Sequence, residues 1–222
     1  MNTILPRIKF DFPNYKKTLR YCFYTMRRPL DGFWDLIHEK RGSLAAANTI
    51  VLVTVIVEVL RAVLTNFQFI NTRMETFNGW FTAGAVILPI FLWCVANWSL
   101  TTLFDGKGHI SYIYMGTAYA LVPMVLINAF LIPISHVITF DEGGIYWVLT
   151  SIGILWSTLL LLCAMKQIHD YSFAKTILTS ISTIAAIGIM LFIFILFFAV
   201  ISDGFAYFYS IFQEAMYRFR TG

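Results

Sequence analysis

The chain has 222 residues, of which 59% are hydrophobic and 13% are charged. Soluble domains carry about 25% charged residues, so this composition excludes a soluble globular protein and indicates a chain that is solvated by lipid. The net charge is +4, and nine of the sixteen Lys and Arg residues precede Gly42, just before the first apolar run. Anionic lipid headgroups account for such a segment, and we expect no nucleic-acid partner.

Residues 1–43 form a basic segment that the sequence predicts to be helical and amphipathic. Its apolar positions repeat at helical spacing on both sides of Pro29: Tyr15, Leu19, Phe23 and Met26 before it, and Leu30, Phe33, Trp34 and Ile37 after it. We expect these helices to lie in the headgroup plane with their cations toward anionic lipid. The alternative is a helix pair that packs under the bundle or against a partner protein.

Residues 44–222 contain five apolar stretches, and about 20 apolar residues are enough to cross the hydrocarbon core as a helix. The sequence therefore predicts an all-α integral membrane bundle with spans at residues 44–64, 81–103, 110–138, 145–165 and 176–201. Pro123 and Pro133 predict a kink or break in the third span. Asn128 lies between them and should face other helices, because its amide is costly in lipid.

Basic residues predict the orientation. If the N-terminus lies on the cytoplasmic side of a cell membrane, twelve Lys and Arg residues lie on that side and three on the other. The C-terminal tail, residues 205–220, is also amphipathic, and Glu214 and Arg218 are spaced to pair along a helix. This tail either lies flat on the outer surface or extends the fifth helix.

Two cytoplasmic connections carry polar residues that could meet at one face of the membrane. One contains Asp105, Gly106, Gly108 and His109, and the other contains His169, Tyr171 and Lys175. An Asp with two His residues could hold a divalent metal, but the spacing is not that of a zinc site. We therefore favour a glycine turn beside a polar helix corner, and we expect no metal and no cofactor.

A second set of polar residues lies within and beyond the spans. Glu58 falls about 21 Å along the first span, where a carboxylate could relay protons or cations. Arg61 is one turn further, and an intrahelical pair between the two is the preferred interpretation. Asn128 within the third span, and the outer residues Ser135, His136, Glu142, Glu214 and Arg218, could complete a polar site, although ordinary polar caps explain the outer residues better.

No motif of catalysis is visible. The sequence has no nucleophile elbow and no HExxH pair. The cysteines Cys22, Cys94 and Cys163 show no metal or disulfide spacing and are expected to be small apolar residues. We therefore predict a protein that is not an enzyme.

The second half resembles the Yip family of multi-pass membrane proteins (the Yip-one domain) in the order and spacing of its polar and proline residues. The matching pieces are Trp98 to Thr102, Asp105 to Gly108, Tyr119, Pro123, Pro133 with Ser135, Glu142, Trp156, His169 to Ser172 with Lys175, and Glu214 with Arg218. The stretches Arg28 to Trp34 and Lys40 to Ser43 resemble bacterial members. The resemblance implies five spans and a cytoplasmic N-terminus. Eukaryotic members bind Rab-type GTPases and each other. This chain departs from them because it lacks their long Pro/Gly-rich N-terminal region, so the resemblance does not extend to Rab binding.

Three functions follow as hypotheses. The preferred one is a non-enzymatic scaffold or adaptor that binds a membrane-protein partner or forms a homo-oligomer through its N-terminal helices and cytoplasmic loops. The first alternative is a small oligomeric transporter or channel built on Glu58, Asn128 and the broken third span. The second alternative is a metal-binding membrane protein that uses Asp105, His109 and His169.

Overall fold

A computed structural model describes residues 12–69, 77–101, 103 and 106–221, apart from the side chains of residues 12–14, 140, 214, 215, 218, 219 and 221. Within these ranges, every element longer than a single 3₁₀ turn is an α-helix. The described residues form nine α-helices: α1 (Phe12–Arg20), α2 (Cys22–Arg27), α3 (Pro29–His38), α4 (Leu44–Leu64), α5 (Gly79–Thr101), α6 (Ile110–Ala120), α7 (Val122–Ile134), α8 (Gly143–His169) and α9 (Phe173–Thr221). The predicted all-α fold is confirmed.

Five helical segments are long and apolar enough to cross a membrane. They are α4, α5, the α6–α7 pair, α8 and the first 41 residues of α9. The first predicted span, 44–64, coincides with α4, which begins at the Ser43 cap where the Ser43 hydroxyl accepts the Ala46 N–H. The described part of the chain is therefore an all-α membrane bundle with five candidate spans, and the side of the bundle where α4 begins is called the N-terminal side below.

The third span breaks where the sequence predicted it. α6 ends at Ala120 and α7 begins at Val122, with Pro123 in the first turn of α7. Proline has no N–H and its ring clashes with the carbonyl four residues earlier, so the helix cannot continue through it unchanged. Pro133 is the penultimate residue of α7, which ends at Ile134.

The N-terminal helices pack against the bundle. Phe33 and Leu36 of α3 are 0% and 1% exposed, and α3 contacts α8. The Tyr119 hydroxyl of α6 donates to the Thr18 carbonyl at 2.8 Å. These contacts correspond to the second of the two arrangements expected from the sequence, in which the N-terminal helices pack on the bundle. Phe23 and Trp34 remain exposed at the surface.

The main core lies in the half of the bundle on the N-terminal side. It is built on small residues that let helix backbones approach closely, including Ala46, Ala118 and Ala164. A Cβ added to Gly116 would lie 2.7 Å from the Ile168 side chain, so α6 and α8 cross there without room for a larger residue. A smaller cluster of Phe69, Leu131 and Tyr146 closes the opposite end.

α9 is a single helix of 49 residues, about 74 Å long at 1.5 Å per residue. The predicted last span, residues 176–201, lies inside this helix, and of the two arrangements expected for the tail it adopts the one that extends the fifth helix. Nothing between Phe173 and Thr221 is proline, and the isolated Gly204 costs a helix only about 1 kcal/mol.

Candidate functional site: a polar junction of three spanning helices

The connection between α8 and α9 is a tight reversal on the N-terminal side. Asp170 ends α8 with φ of 57°, and the Tyr171 N–H returns to the Lys166 carbonyl at 3.1 Å. This left-handed turn is a common way of closing a helix, because it satisfies carbonyls that would otherwise have no partner. It fixes His169 and Tyr171 on either side of the turn, with their rings stacked at 5.2 Å.

His169 is 2% exposed, and both of its ring nitrogens are hydrogen bonded. The Gly108 N–H donates to Nδ1 at 3.3 Å, and Nε2 lies 2.8 Å from the Asn97 Oδ1. Because the Gly108 N–H is a donor, Nδ1 must accept, and the ring proton therefore sits on Nε2 and is donated to Asn97. The contacts describe a neutral imidazole.

Asn97 carries the chain of hydrogen bonds into α9. Its Nδ2 donates to the Thr183 hydroxyl at 3.2 Å, and that hydroxyl donates to the Thr179 carbonyl at 2.8 Å. Asn97 is 4% exposed and Thr183 is 0% exposed. A continuous chain of directed hydrogen bonds thus runs from the loop after α5, through the end of α8, to the first turns of α9. We call Asn97, Gly106, Gly108, His169, Tyr171 and Thr183 the polar junction.

The two glycines are required by packing. A Cβ on Gly108 would lie 2.5 Å from the His169 Cε1, and a Cβ on Gly106 would lie 2.6 Å from the Tyr171 hydroxyl oxygen. Neither glycine has a positive φ, so close approach of the loop to the His169 and Tyr171 rings explains these positions. The glycine-containing loop and the polar helix corner, which were grouped from the sequence, lie in contact.

Charged residues cover the junction on its exposed side. The Lys175 ammonium lies 4.4 Å from the Tyr171 ring centroid, a cation–π contact. The Lys107 ammonium lies 3.0 Å from an Asp170 carboxylate oxygen, and this hydrogen bond and charge hold the pKa of Asp170 below its usual value. Both members of that pair are well exposed, so the pair adds little to stability at neutral pH.

Of the seven residues predicted for this site, five meet: Gly106, Gly108, His169, Tyr171 and Lys175. His109 instead faces outward beside Tyr112, and Asp105 lies outside the described residues. Asn97 and Thr183 were not among the residues predicted for this site. They lie 86 residues apart, and the one available signal was that each is a polar residue inside an apolar run.

The metal-binding alternative is disfavoured by the donor chemistry. Both ring nitrogens of His169 are already used by protein groups, so neither has a lone pair for a metal. Among the residues that the structure describes, no group of three or more His, Cys, Asp or Glu side chains converges.

A second polar cluster lies toward the opposite side of the membrane. Arg61 pairs with Glu58 at 3.1 Å along α4, as the spacing predicted. The Asn128 Nδ2 donates to the other Glu58 oxygen at 2.6 Å, and the Arg61 Nε donates to the Tyr146 hydroxyl at 3.5 Å. Asn128 is 2% exposed, so the expectation that it faces other helices is confirmed. The cluster ties α4 to α7 and α8.

Three of the predicted outer residues, Ser135, His136 and Glu142, bond to groups at helix ends or in the connections between helices and not to that cluster. The Ser135 hydroxyl accepts the Asn66 N–H, and His136 contacts the Leu64 carbonyl at 2.6 Å. Glu142 accepts from the N–H and hydroxyl of Thr139 within its own turn. The side chains of Glu214 and Arg218 lie outside the described residues, so their predicted pairing remains a prediction.

A family model described as the Yip1 domain matches residues 23–216. The chain belongs to the Yip1 family. The resemblance stated from the sequence is therefore confirmed, and it fits the multi-span membrane architecture. A comparison with curated proteins found no match, and a comparison with solved structures found none either. In this Yip1-family chain, two of the matching sequence pieces, Gly106 to Gly108 and His169 to Lys175, meet at the polar junction.

Proposed function

We propose that this Yip1-family chain is a non-enzymatic membrane adaptor that binds partner membrane proteins through the distal part of α9. The main support for the proposal is the difference in side-chain burial between the two ends of α9. Its first turns are docked on the bundle through Thr176, Thr179, Ser180 and Thr183, all of which are buried. After Thr183, none of the α9 side chains that the structure describes is buried.

The length of α9 places part of it beyond the bilayer. The hydrocarbon core and headgroups together measure about 40–45 Å, or about 30 helical residues. If α9 runs straight across, the residues from about Asp203 onward therefore stand outside the membrane. This distal segment carries large exposed aromatics, among them Phe205, Phe208 and Phe212 at 73%, 71% and 63% exposed. Exposed apolar surface of this kind marks an interaction site.

The polar junction supports the adaptor role by anchoring the base of this helix. The hydrogen bond from Asn97 to Thr183 holds the first part of α9 against α5. His169 and Asn97 bond to each other and to other groups of the fold, which suits a structural joint. Glu58, the basis of the transporter alternative, is likewise held by Arg61 and Asn128.

The orientation is part of the proposal. Twelve basic residues lie on the side of the N-terminus and three on the opposite side. This distribution favours an N-terminus on the cytoplasmic side of a cell membrane, with anionic headgroups beside α1 and α2. The polar junction would then face the cytoplasm, and the distal segment of α9 would reach a partner on the other side.

Site-directed crosslinking tests the proposal in native membranes. Cys22, Cys94 and Cys163 are buried, so a single introduced cysteine can carry a photo-crosslinker selectively. We expect Phe205→Cys to crosslink a discrete partner protein. The matched control is Trp80→Cys, which is 89% exposed at the start of α5 on the same side of the bundle, and should give no discrete product.

The same experiment separates the alternatives. Crosslinks from Phe205→Cys only to a second copy of this chain would replace the adaptor with a self-assembling scaffold. Products that are the same for Phe205→Cys and Trp80→Cys would show that the distal segment has no specific partner.

A further inference from the structure

An apolar cavity of about 390 Å³ lies between the N-terminal helices and the bundle. Leu19 and Cys22 form one wall, and Ile50, Val53, Val122 and Val125 form the other. The volume lies within the range of about 300–1,000 Å³ that is usual for ligand pockets. The cavity belongs neither to the polar junction nor to the distal segment of α9.

The walls of this cavity are held in place by hydrogen bonds. The Tyr15 and Thr49 hydroxyls lie 2.7 Å apart, and the Thr49 hydroxyl donates to the Ala45 carbonyl. The Thr18 hydroxyl lies 3.2 Å from that of Ser43, and Tyr119 donates to the Thr18 carbonyl. α1 is therefore fixed beside α4, and the polar groups near the cavity are committed to the protein.

Two cations stand at the mouth. Lys16 and Arg20 both line the cavity and are exposed, and they are four residues apart on α1. Side chains at this spacing lie on one face of a helix, so both can reach the same anionic group. Their positive charge lies directly beside a cavity that offers a ligand only apolar surface.

The depth of the cavity matches the membrane interface. Thr49 and Val53 lie five and nine residues after the start of α4, which is about 8–14 Å along its axis. Val53 and the neighbouring Leu126 are 42% and 43% exposed, so the cavity is open on the side that faces lipid. A ligand can thus place a charged group at Lys16 and Arg20 and an apolar chain along α4 and α7.

We propose that this cavity is a binding site for one anionic phospholipid, with its phosphate held by Lys16 and Arg20 and one acyl chain inserted along Val53 and Val125. Charge complementarity at the mouth and an apolar interior select this occupant. A peptide segment would bring backbone N–H and C=O groups into a cavity that has no polar partner to give them.

Lipid binding to the purified, delipidated full-length protein tests the proposal by native mass spectrometry. The probes are phosphatidylglycerol, phosphatidylcholine and the soluble headgroup glycerol phosphate. We expect phosphatidylglycerol to bind one per chain and more tightly than phosphatidylcholine. The double variant Lys16→Gln/Arg20→Gln should bind phosphatidylglycerol about tenfold or more weakly.

The matched control for charge is Lys17→Gln/Arg27→Gln, which removes two exposed cations that do not line the cavity and should bind like wild type. Val53→Trp fills the cavity while keeping both cations and should also abolish tight binding. Its control is Leu52→Trp, at an exposed position one residue earlier on α4. If Val53→Trp does not fold, Val125→Phe fills the same cavity from α7.

Three results would overturn the proposal. An equal loss of phosphatidylglycerol binding in Lys16→Gln/Arg20→Gln and Lys17→Gln/Arg27→Gln would show a general attraction to positive charge. Unchanged phosphatidylglycerol binding in both cavity-filling variants would show that no acyl chain enters the cavity. Glycerol phosphate binding as tightly as phosphatidylglycerol would show that the site recognises a free phosphate ester and not a lipid.

Discussion

Replacement of Asn97 by Ala tests the polar junction as the joint that docks α9 on the bundle. Asn97 accepts from His169 at the end of α8 and donates to Thr183 in α9, so its amide links three spanning helices. Alanine removes both hydrogen bonds and leaves the His169 N–H buried without a protein partner. We expect the free energy of unfolding to fall and the base of α9 to loosen.

The magnitude follows from the contacts. Side-chain hydrogen bonds between membrane helices contribute about 0.6 kcal/mol each, so the two bonds of Asn97 contribute about 1.2 kcal/mol. A buried unsatisfied N–H costs at least about 1 kcal/mol more. Asn97→Ala should therefore lower the free energy of unfolding by about 2 kcal/mol, and a double-mutant cycle with Thr183→Val should give a measurable coupling energy.

The assay is equilibrium unfolding in a mixed-detergent titration, with hydrogen exchange of the α9 backbone as a local readout. The matched control is Asn48→Ala, because Asn48 also makes an interhelical hydrogen bond, to Tyr114, but is exposed. Asn48→Ala should lower the free energy of unfolding by about 0.5 kcal/mol or less. The hypothesis that the polar junction docks α9 would be refuted by either of two results. One is an equal loss of unfolding free energy for Asn97→Ala and Asn48→Ala, and the other is an unchanged hydrogen-exchange rate around Thr183.

Three further outcomes are expected. Gly108→Ala should destabilise the protein by about 1–3 kcal/mol in the same unfolding assay, because the added methyl overlaps the ring of His169. Glu58→Gln should destabilise it by about 1–2 kcal/mol, because Arg61 is left half-buried without its counter-charge. Asp170 has a lowered pKa, so its stabilisation by Lys107 is complete above the ordinary aspartate pKa and is lost as pH falls through the lowered value. Lys107→Gln should therefore lower the melting temperature slightly at pH 7 and not at about pH 2.

Each of these outcomes has a control. Gly84→Ala meets no atom within 4 Å of its new methyl group and should leave stability unchanged or raise it. Glu142→Gln alters a carboxylate that bonds only within its own exposed turn and should have a smaller effect than Glu58→Gln. A melting-temperature difference for Lys107→Gln that is larger at about pH 2 than at pH 7 would contradict the assigned sign.

The spans were predictable because the bilayer sets both their length and their polarity. α4 begins and ends at the predicted residues, and the break before Pro123 follows from the missing N–H of proline. Asn128 was also placed correctly, since an amide among apolar residues has a strong reason to face other helices. These features depend on local chemistry or on the membrane, which is the same for every chain.

The tail and the centre of the junction were not predictable in the same way. Whether residues 205–220 lie flat or continue α9 depends on partners and geometry that no local pattern records, because an amphipathic helix suits both arrangements. The contact between Asn97 and Thr183 depends on the register of α5 against α9, and its two residues are ordinary polar interruptions of apolar runs. The glycine loop and His169 were grouped correctly because both lie at span ends on one side of the membrane.

The most direct test of the adaptor proposal is recovery of partners in native lipid nanodiscs, comparing the full chain with a chain that ends after Gly204. Unlike the N-terminal helices, whose Phe33 and Leu36 belong to the core, the removed residues have no described buried side chain, so the bundle should remain intact. The proposal predicts a stoichiometric membrane-protein partner that is recovered with the full chain and lost with the shortened one. Equal recovery of that partner with both chains would contradict it.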